Sequence, residues 1–274
     1  MKSAPILIAL VLALACAAPW PAEAAPPWQP EVQLSIPGSG TFAGAIADGV
    51  AEAVSSTGDR YKGEWKNGKP HGVGKMDYML GGSYEGEWKN GRRDGKGVLT
   101  FAGSGRRAEA RFADDRRVDV ATPALAPTSS NEFSLLSNID PTGSHIRNKV
   151  AYGPLPLDRG FDDLTPDQQR FVRSYYPALD VGDDPPYPLG GGKELLGLLV
   201  VMIRELEVKD ELLVYVAVDA DAQVSTVTSI GPLDLKQMNL IAAAAGLLKY
   251  KPAQCGGRPC AGVVPFKLKM RAVL

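Results

Sequence analysis

Few residues of this chain have types and spacings that could do chemistry. Its 274 residues include two histidines, His71 and His145, which lie far apart in the sequence. A metal site needs several clustered ligands, and Ser144 beside His145 does not by itself have the geometry of a catalytic triad. The glycine run at residues 190–192 fits no nucleotide-binding fingerprint. The sequence therefore predicts no catalytic residue, no metal site and no cofactor, and it favours a binding protein over an enzyme.

The first 24 residues have the features of an export signal. Lys2 supplies a short positive region, residues 6–18 are apolar, and Ala22-Glu23-Ala24 is a small-x-small cleavage site. The apolar run is shorter than the roughly 20 residues that span a bilayer. We therefore predict cleavage before Ala25 and a periplasmic protein. The alanine-rich stretch before Cys16 resembles a poor lipobox, so membrane attachment as a lipoprotein through Cys16 is the alternative.

Cleavage would leave Cys255 and Cys260 as the remaining cysteines. An even number of cysteines in an exported protein indicates a disulfide. Four residues separate the two, whereas thioredoxin-like redox centres have two. We therefore predict a structural disulfide that closes a loop between two strands. A regulatory, exchangeable bond is the alternative, because exposed disulfides can be labile.

Residues 61–101 contain a sequence that occurs twice with a spacing of 23 positions, and such a fixed period indicates a stacked repeat architecture. Aromatic residues and glycines alternate with charged residues, which predicts strands, and Asn67-Gly68 and Asn90-Gly91 predict tight hairpin turns. Glycine inside a strand marks the close approach of another group, here expected to be an aromatic ring of the neighbouring hairpin. The predicted repeat core comprises Tyr61, Gly63, Trp65, Gly72, Gly74, Tyr84, Gly86, Trp88, Gly95 and Gly97.

The pattern Tyr-x-Gly-x-Trp-x-x-Gly followed by Gly-x-Gly resembles the MORN repeat. The resemblance implies an elongated meander of β-hairpins. A degenerate copy is expected at residues 42–49, offset by 19 positions from the first full copy, and a worn copy at residues 108–117, with Phe112 in the tryptophan position. Atypical outer copies are expected because terminal repeats act as caps.

The C-terminal residues predict a small α+β unit. Thr165, Pro166 and Gln168 form a helix-start signal, with the helix extending to about Tyr176. Further helices are expected at residues 193–206 and 235–249, and strands at 212–219, 223–229 and 263–270. From residue 186 this order resembles the C-terminal domain of the TonB family, on the evidence of Pro186-Tyr187-Pro188, residues 214–219, Leu233-Asp234 and residues 250–253.

Two departures from the TonB pattern limit what the resemblance implies. The insertion between the proline motif and the first strand is long, and no convincing uncleaved membrane anchor is present, although TonB energy transducers need one. The resemblance therefore implies a periplasmic interaction module. The predicted fold class is α+β, with a signal peptide (1–24), a disordered proline-rich segment (25–40), hairpin repeats (41–120), an irregular linker (121–160) and a ββαβ C-terminal domain (161–274).

Charge is unevenly distributed along the chain. Residues 59–117 carry 14 basic and 9 acidic residues, whereas the whole chain has a net charge of −1. A mildly basic sheet could contact an anionic membrane or an acidic partner, although lysines that alternate with core aromatics also simply solvate an outer face. No nucleic-acid partner and no particular oligomeric state is implied.

The favoured function is a scaffold that binds an envelope protein; the alternative is an anchored TonB-like energy transducer that contacts an outer-membrane transporter.

Export is the first testable prediction. Because residues 6–18 and Ala22-Glu23-Ala24 form a cleavable signal, N-terminal sequencing of the protein recovered from cells should begin at Ala25. A chain that retains Met1 would instead support the anchored alternative. A lipid on Cys16 would show lipoprotein processing.

Overall fold

The computed structural model describes residues 28–33, 41–42, 44, 46–120, 133–136, 150–153, 155–193, 195, 212–231 and 233–272. The predicted signal peptide, Cys16, His145 and nearly all of the helix predicted at 193–206 lie outside these residues. The first strands are β1 (Trp28–Gln33), β2 (Gly49–Val54), β3 (Arg60–Lys66), β4 (Lys69–Asp77), β5 (Ser83–Lys89), β6 (Arg92–Thr100), β7 (Arg107–Ala113), β8 (Arg116–Arg117), β9 (Phe133–Leu136) and β10 (Val150–Gly153). They are followed by a 3-10 turn (Phe161–Asp163), helix α1 (Pro166–Arg173), β11 (Tyr187–Pro188), β12 (Leu212–Val218), β13 (Val224–Ile230), helix α2 (Leu235–Leu247), β14 (Tyr250–Lys251), β15 (Ala253–Cys255), β16 (Arg258–Cys260) and β17 (Gly262–Ala272).

Strands β2 to β8 form one antiparallel meander in sequence order. The two predicted Asn-Gly turns are present, with positive φ angles of 50° at Asn67 and 53° at Asn90. The second strand of each hairpin begins directly after the turn, at Lys69 and Arg92, and not at Val73 and Val98 as the sequence pattern predicted. Cross-strand pairing continues up to the turn: Lys66 pairs with Lys69, and Lys89 pairs with Arg92.

The N-terminal half-repeat differs from the one predicted. Gly49 pairs with Trp65 just as Gly72 pairs with Trp88, so β2 is the second strand of an incomplete preceding unit, offset by 23 positions. The predicted copy with an offset of 19 was wrong, because it was aligned on Phe42 instead of on the Gly-x-Gly half. Phe42 instead packs edge-on against Trp65, with ring centroids 4.9 Å apart. At the other end Phe112 pairs with Gly95 and takes the tryptophan position, as predicted.

The C-terminal unit is built around a six-stranded sheet in the order β13-β12-β17-β1-β10-β9. Strands β12 and β13, helix α2 and strand β17 follow one another in the predicted ββαβ order. Three further strands come from segments predicted as disordered or irregular: β1 from residues 25–40, and β9 and β10 from residues 121–160. Pro30, which lacks an N–H group, argues against a central strand, yet it lies opposite Met270 in β17. Pairing with a strand more than 200 positions away thus places β1 in the sheet.

Helices α1 and α2 each begin with a capping box. Thr165 accepts a hydrogen bond from the Gln168 N–H and donates its own N–H to the Gln168 side chain, as the sequence predicted. Asp234 and Gln237 form the same reciprocal pair at the start of α2. Satisfying the free N–H groups of the first turn in this way stabilises both helices. Helix α1 ends at Arg173, three positions before the predicted end.

The repeat sheet packs directly on the C-terminal unit. The Tyr215 hydroxyl donates to the Thr57 carbonyl at 2.6 Å, and the Ala102 N–H donates to the Ala178 carbonyl at 2.8 Å. Ala178 is fully buried within the aromatic cluster of the repeats. An ion pair between Arg106 and Asp180 borders this contact. The two units therefore share buried surface, although the sequence predicted an irregular linker between them.

The repeat core generates the second prediction. Trp88 is 5% exposed, whereas its neighbour Lys89 is exposed. Replacing Trp88 with Ala should lower the free energy of unfolding by about 3–5 kcal/mol, the usual cost of removing a buried large aromatic side chain. Lys89→Ala is the matched control and should change it by less than about 0.5 kcal/mol. Urea titration measures both, and equal, small effects would contradict the stacked-hairpin core.

Candidate binding surfaces

The predicted core tyrosines lie across pairs of glycines. Tyr61 is fully buried, and Gly63 and Gly74 lie directly opposite each other beneath its ring. A β-carbon at either glycine would overlap the Tyr61 side chain. Tyr84 makes the same contact with its own glycine pair. The ring therefore comes from the same hairpin and not from the neighbouring hairpin as predicted, because residues two positions apart in a strand face the same way.

The core tryptophans connect each hairpin to the preceding one. The indole N–H of Trp65 donates to the Ala51 carbonyl and that of Trp88 donates to the Gly74 carbonyl, both at 3.0 Å. The Tyr61 ring lies edge-on between the two indoles, with centroids 5.1 Å and 5.2 Å away. Edge-to-face aromatic contacts at such distances are favourable. Contacts between successive repeats therefore cover the aromatic face of the sheet.

The remaining core glycines accommodate acidic side chains. Gly72 and Gly95 have positive φ angles of 58° and 119°. A β-carbon at Gly72 would overlap the Glu64 carboxylate, and one at Gly95 would overlap that of Glu87. The Val73 N–H donates to Glu64 at 3.0 Å. These two glycines thus leave room for a carboxylate next to the register shift of each hairpin.

His71 has a structural role in the repeat. Its Nδ1 accepts from the Asn90 N–H at 3.5 Å, at the turn of the next hairpin. Asp48 accepts from the Asn67 N–H at 2.7 Å in the same way, and Asp94 accepts from the Asp114 N–H at 3.2 Å. The sequence carries a signal for this link to the next hairpin, because a polar residue recurs here at 23-residue intervals.

The outer face of the repeat sheet is exposed and charged. Lys62 lies directly opposite Lys75, and Lys96 lies directly opposite Arg111. Like charges in such positions repel each other. An ion pair of Lys75 with Asp77, 2.7 Å between Nζ and Oδ1, offsets part of this repulsion. Lys62 also lies opposite Glu52, and Lys75 lies opposite Glu85, so this row balances its charge. The opposed pair of Lys96 and Arg111 is the local concentration of positive charge that remains.

Acidic residues balance the positive charge at the first strand of the sheet. The Arg60 side chain donates to Glu52 at 2.8 Å, and this hydrogen bond holds the pKa of the Glu52 carboxyl below its usual value. Both side chains are exposed, so the pair contributes little to stability. The outer face thus carries charges of both signs, with an opposed basic pair between β6 and β7.

The C-terminal sheet exposes β13 as an edge strand. Within the described residues β13 pairs with β12 alone. Its sequence, Val224-Ser-Thr-Val-Thr-Ser-Ile230, has no charge and no proline. The last strand, predicted at residues 263–270, corresponds to β17. The sequence predicts that this strand is the edge that binds a partner, but it lies in the interior of the sheet, between β12 and β1. That hypothesis was wrong, because β1 occupies the side of β17 that would otherwise be free.

The predicted disulfide is present between Cys255 and Cys260, with Cα atoms 5.9 Å apart. The two cysteines lie in the β15–β16 hairpin, which the bond closes. Both sulfur atoms lie against Gly103 in a turn of the repeat sheet, where a β-carbon would come within 2.9 Å of each. The bond therefore supports the contact between the two units as well as its own hairpin.

Comparison with known proteins identifies the repeats. Residues 61–79 and 84–106 match the profile of the MORN repeat, and no curated protein matches the chain. The described residues contain no cluster of three or more potential metal ligands, and none of their helices is long and apolar enough to cross a membrane. The C-terminal resemblance to TonB stays a prediction. The repeat match and the antiparallel meander together fit a MORN repeat protein.

Proposed function

We propose that this chain is an exported, non-enzymatic scaffold of the bacterial cell envelope that binds a partner protein by strand addition at β13. MORN repeats suggest a membrane or protein-interaction role, and the β13 edge is the observation that supports a protein partner. Within the described residues, its backbone N–H and C=O groups on the side away from β12 pair with no other strand, so an extended segment could bind them. Strand addition of this kind obtains affinity from main-chain hydrogen bonds.

The sequence of β13 supports this role by what it lacks. Natural sheet edges are usually protected by lysine, proline or a bulge, because an open edge pairs with other chains. The register shift in β13 lies opposite Ala217 and Val218, next to the hairpin turn. Residues 226–230 remain in regular register and carry no protecting residue. An edge left unprotected in this way suits a binding site.

Export supports the envelope location. The predicted signal peptide would deliver the chain to an oxidising compartment, where disulfides persist, and the Cys255–Cys260 bond agrees with that compartment. An anchored TonB-like energy transducer is the alternative, and it could use the same edge. The N-terminus of the mature protein distinguishes these two, because a transducer needs a retained anchor.

Site-specific photocrosslinking in intact cells tests the protein partner. A photoreactive residue at Thr226, which is exposed on β13, should give a discrete adduct with one envelope protein. The same residue at Ser104, in an exposed turn of the repeat sheet, is the matched control and should give at least about tenfold less of that adduct, because it lies outside the strand-pairing site. Equal labelling from both positions, or no adduct from Thr226, would refute the proposed edge.

A second candidate function is contact between the repeat sheet and an anionic membrane. The observation that favours it is the direct pairing of Lys96 with Arg111 on the exposed outer face. Opposed basic residues cost stability, and anionic lipid headgroups would neutralise them. This contact would use a surface separate from β13.

Vesicle binding tests the membrane contact. The mature chain should sediment with vesicles containing phosphatidylglycerol and not with pure phosphatidylcholine vesicles. Lys96→Ser combined with Arg111→Ser should weaken this binding by about tenfold or more, since each basic residue near an anionic surface contributes about 1 kcal/mol. Lys236→Ser combined with Lys249→Ser removes the same charge from exposed positions in the C-terminal unit and should have little effect. Equal losses in both variants would show a non-specific charge effect.

A further inference from the structure

A cavity of about 210 Å³ lies where the repeat sheet meets the C-terminal unit. Tyr78 and Trp88 line it from the repeats, and Tyr175 and Tyr215 line it from the C-terminal unit. Its volume is below the 300–1,000 Å³ usual for sites that bind drug-sized ligands. The aromatic walls and limited volume suit a small ligand enclosed between the two units.

Two of the three charged residues that line the cavity are already paired. Arg93 Nε lies 3.1 Å from the Asp115 carboxylate, and the guanidinium also donates to the Pro177 carbonyl. The same guanidinium stacks 4.2 Å above the Phe112 ring. Three of its five N–H groups are therefore occupied, by Asp115 and the Pro177 carbonyl, and Arg93 serves to hold the cavity wall together.

The third charged residue, Asp59, is a buried carboxylate without a cationic partner in the described part of the chain. One of its oxygens accepts from the Met79 N–H at 2.8 Å, and the other accepts from the Thr57 hydroxyl at 2.9 Å. Burial raises the pKa of Asp59, and these hydrogen bonds oppose the rise. A buried carboxylate is normally paired with a cation, because desolvation of an uncompensated charge is costly.

Asp59 lies within electrostatic reach of the aromatic walls. Burial raises the pKa of Tyr78, the Arg93 guanidinium opposes this rise, and the Asp115 and Asp59 carboxylates add to it. Asp59 also adds to the raised pKa of the Tyr215 hydroxyl, after burial. The Asp59 carboxylate and these aromatic side chains line the same cavity. Aromatic faces attract cations, most strongly where water is excluded.

We propose that this cavity binds a small organic ammonium ion, whose charge lies between the Asp59 carboxylate and the rings of Tyr78 and Trp88. The cation would supply the missing counter-charge of Asp59, and its alkyl groups would contact the ring faces. Because the cavity has walls from both units, a bound ligand would also strengthen their contact. This activity is independent of the β13 edge and of the outer face.

Calorimetric titration of the mature chain with choline tests the site. The matched ligand is 3,3-dimethylbutan-1-ol, in which carbon replaces the charged nitrogen of choline. Choline should bind at least about tenfold more tightly than this uncharged isostere, since a desolvated cation–π contact contributes about 2 kcal/mol. Equal binding of the two compounds, or no binding of choline, would overturn the proposal.

Variants locate the binding to Asp59 and the ring face. Asp59→Asn keeps the side-chain shape and should weaken choline binding at least about tenfold, whereas Asp77→Asn, on an exposed carboxylate of the same sheet, should not. Should Asp59→Asn unfold, as judged by circular dichroism, Tyr78→Leu replaces it and is compared with Tyr78→Phe, which retains the ring face. Choline binding unchanged in Asp59→Asn, or in Tyr78→Leu, would refute the site.

Discussion

The packing of a tyrosine ring across two opposed glycines is the contact on which the repeat sheet depends. Tyr61 covers Gly63 and Gly74, and any side chain at either glycine would displace the ring. With the ring close to the backbone, the neighbouring tryptophan can reach the preceding hairpin and donate its indole N–H there. One hairpin cannot bury its own aromatic face, so the units are stable as a stack.

The ends of this stack are closed in two different ways. At the N-terminal end β2 supplies half a repeat, and Phe42 covers the indole of Trp65. Towards the C-terminal end Phe112 replaces tryptophan, Arg93 stacks on its ring and donates to the Pro177 carbonyl, and Ala178 enters the aromatic cluster. The C-terminal unit therefore covers aromatic surface that would otherwise face water. Its docking is part of how the repeats are stabilised.

This arrangement decides which surfaces remain for binding. The aromatic face is used internally, which leaves the charged outer face and the strand edges of the described sheets, β13 among them, for a partner or membrane. The docking of the two units also encloses Asp59, because Thr57 and Tyr215 meet next to it. A carboxylate at the start of a repeat strand thereby becomes buried between aromatic rings. Small-ligand binding would thus depend on this interface, whereas the β13 edge and the outer face are separate from it.

The local patterns of the sequence were sufficient to predict the repeats, the Asn-Gly turns, the Thr165 capping box, the disulfide and the ββαβ order. Each depends on residues that are close in the chain, whose types limit backbone angles or alternate with a fixed period. The sequence did not reveal β1, β9 or β10. Pro30 argues against a strand at β1, which is held by the distant β17 and in turn joins the β9–β10 pair to the sheet. For the same reason only the tertiary structure showed that β17 is central and β13 is the edge. The burial of Asp59 was likewise decided by contact between two units that are far apart in the chain.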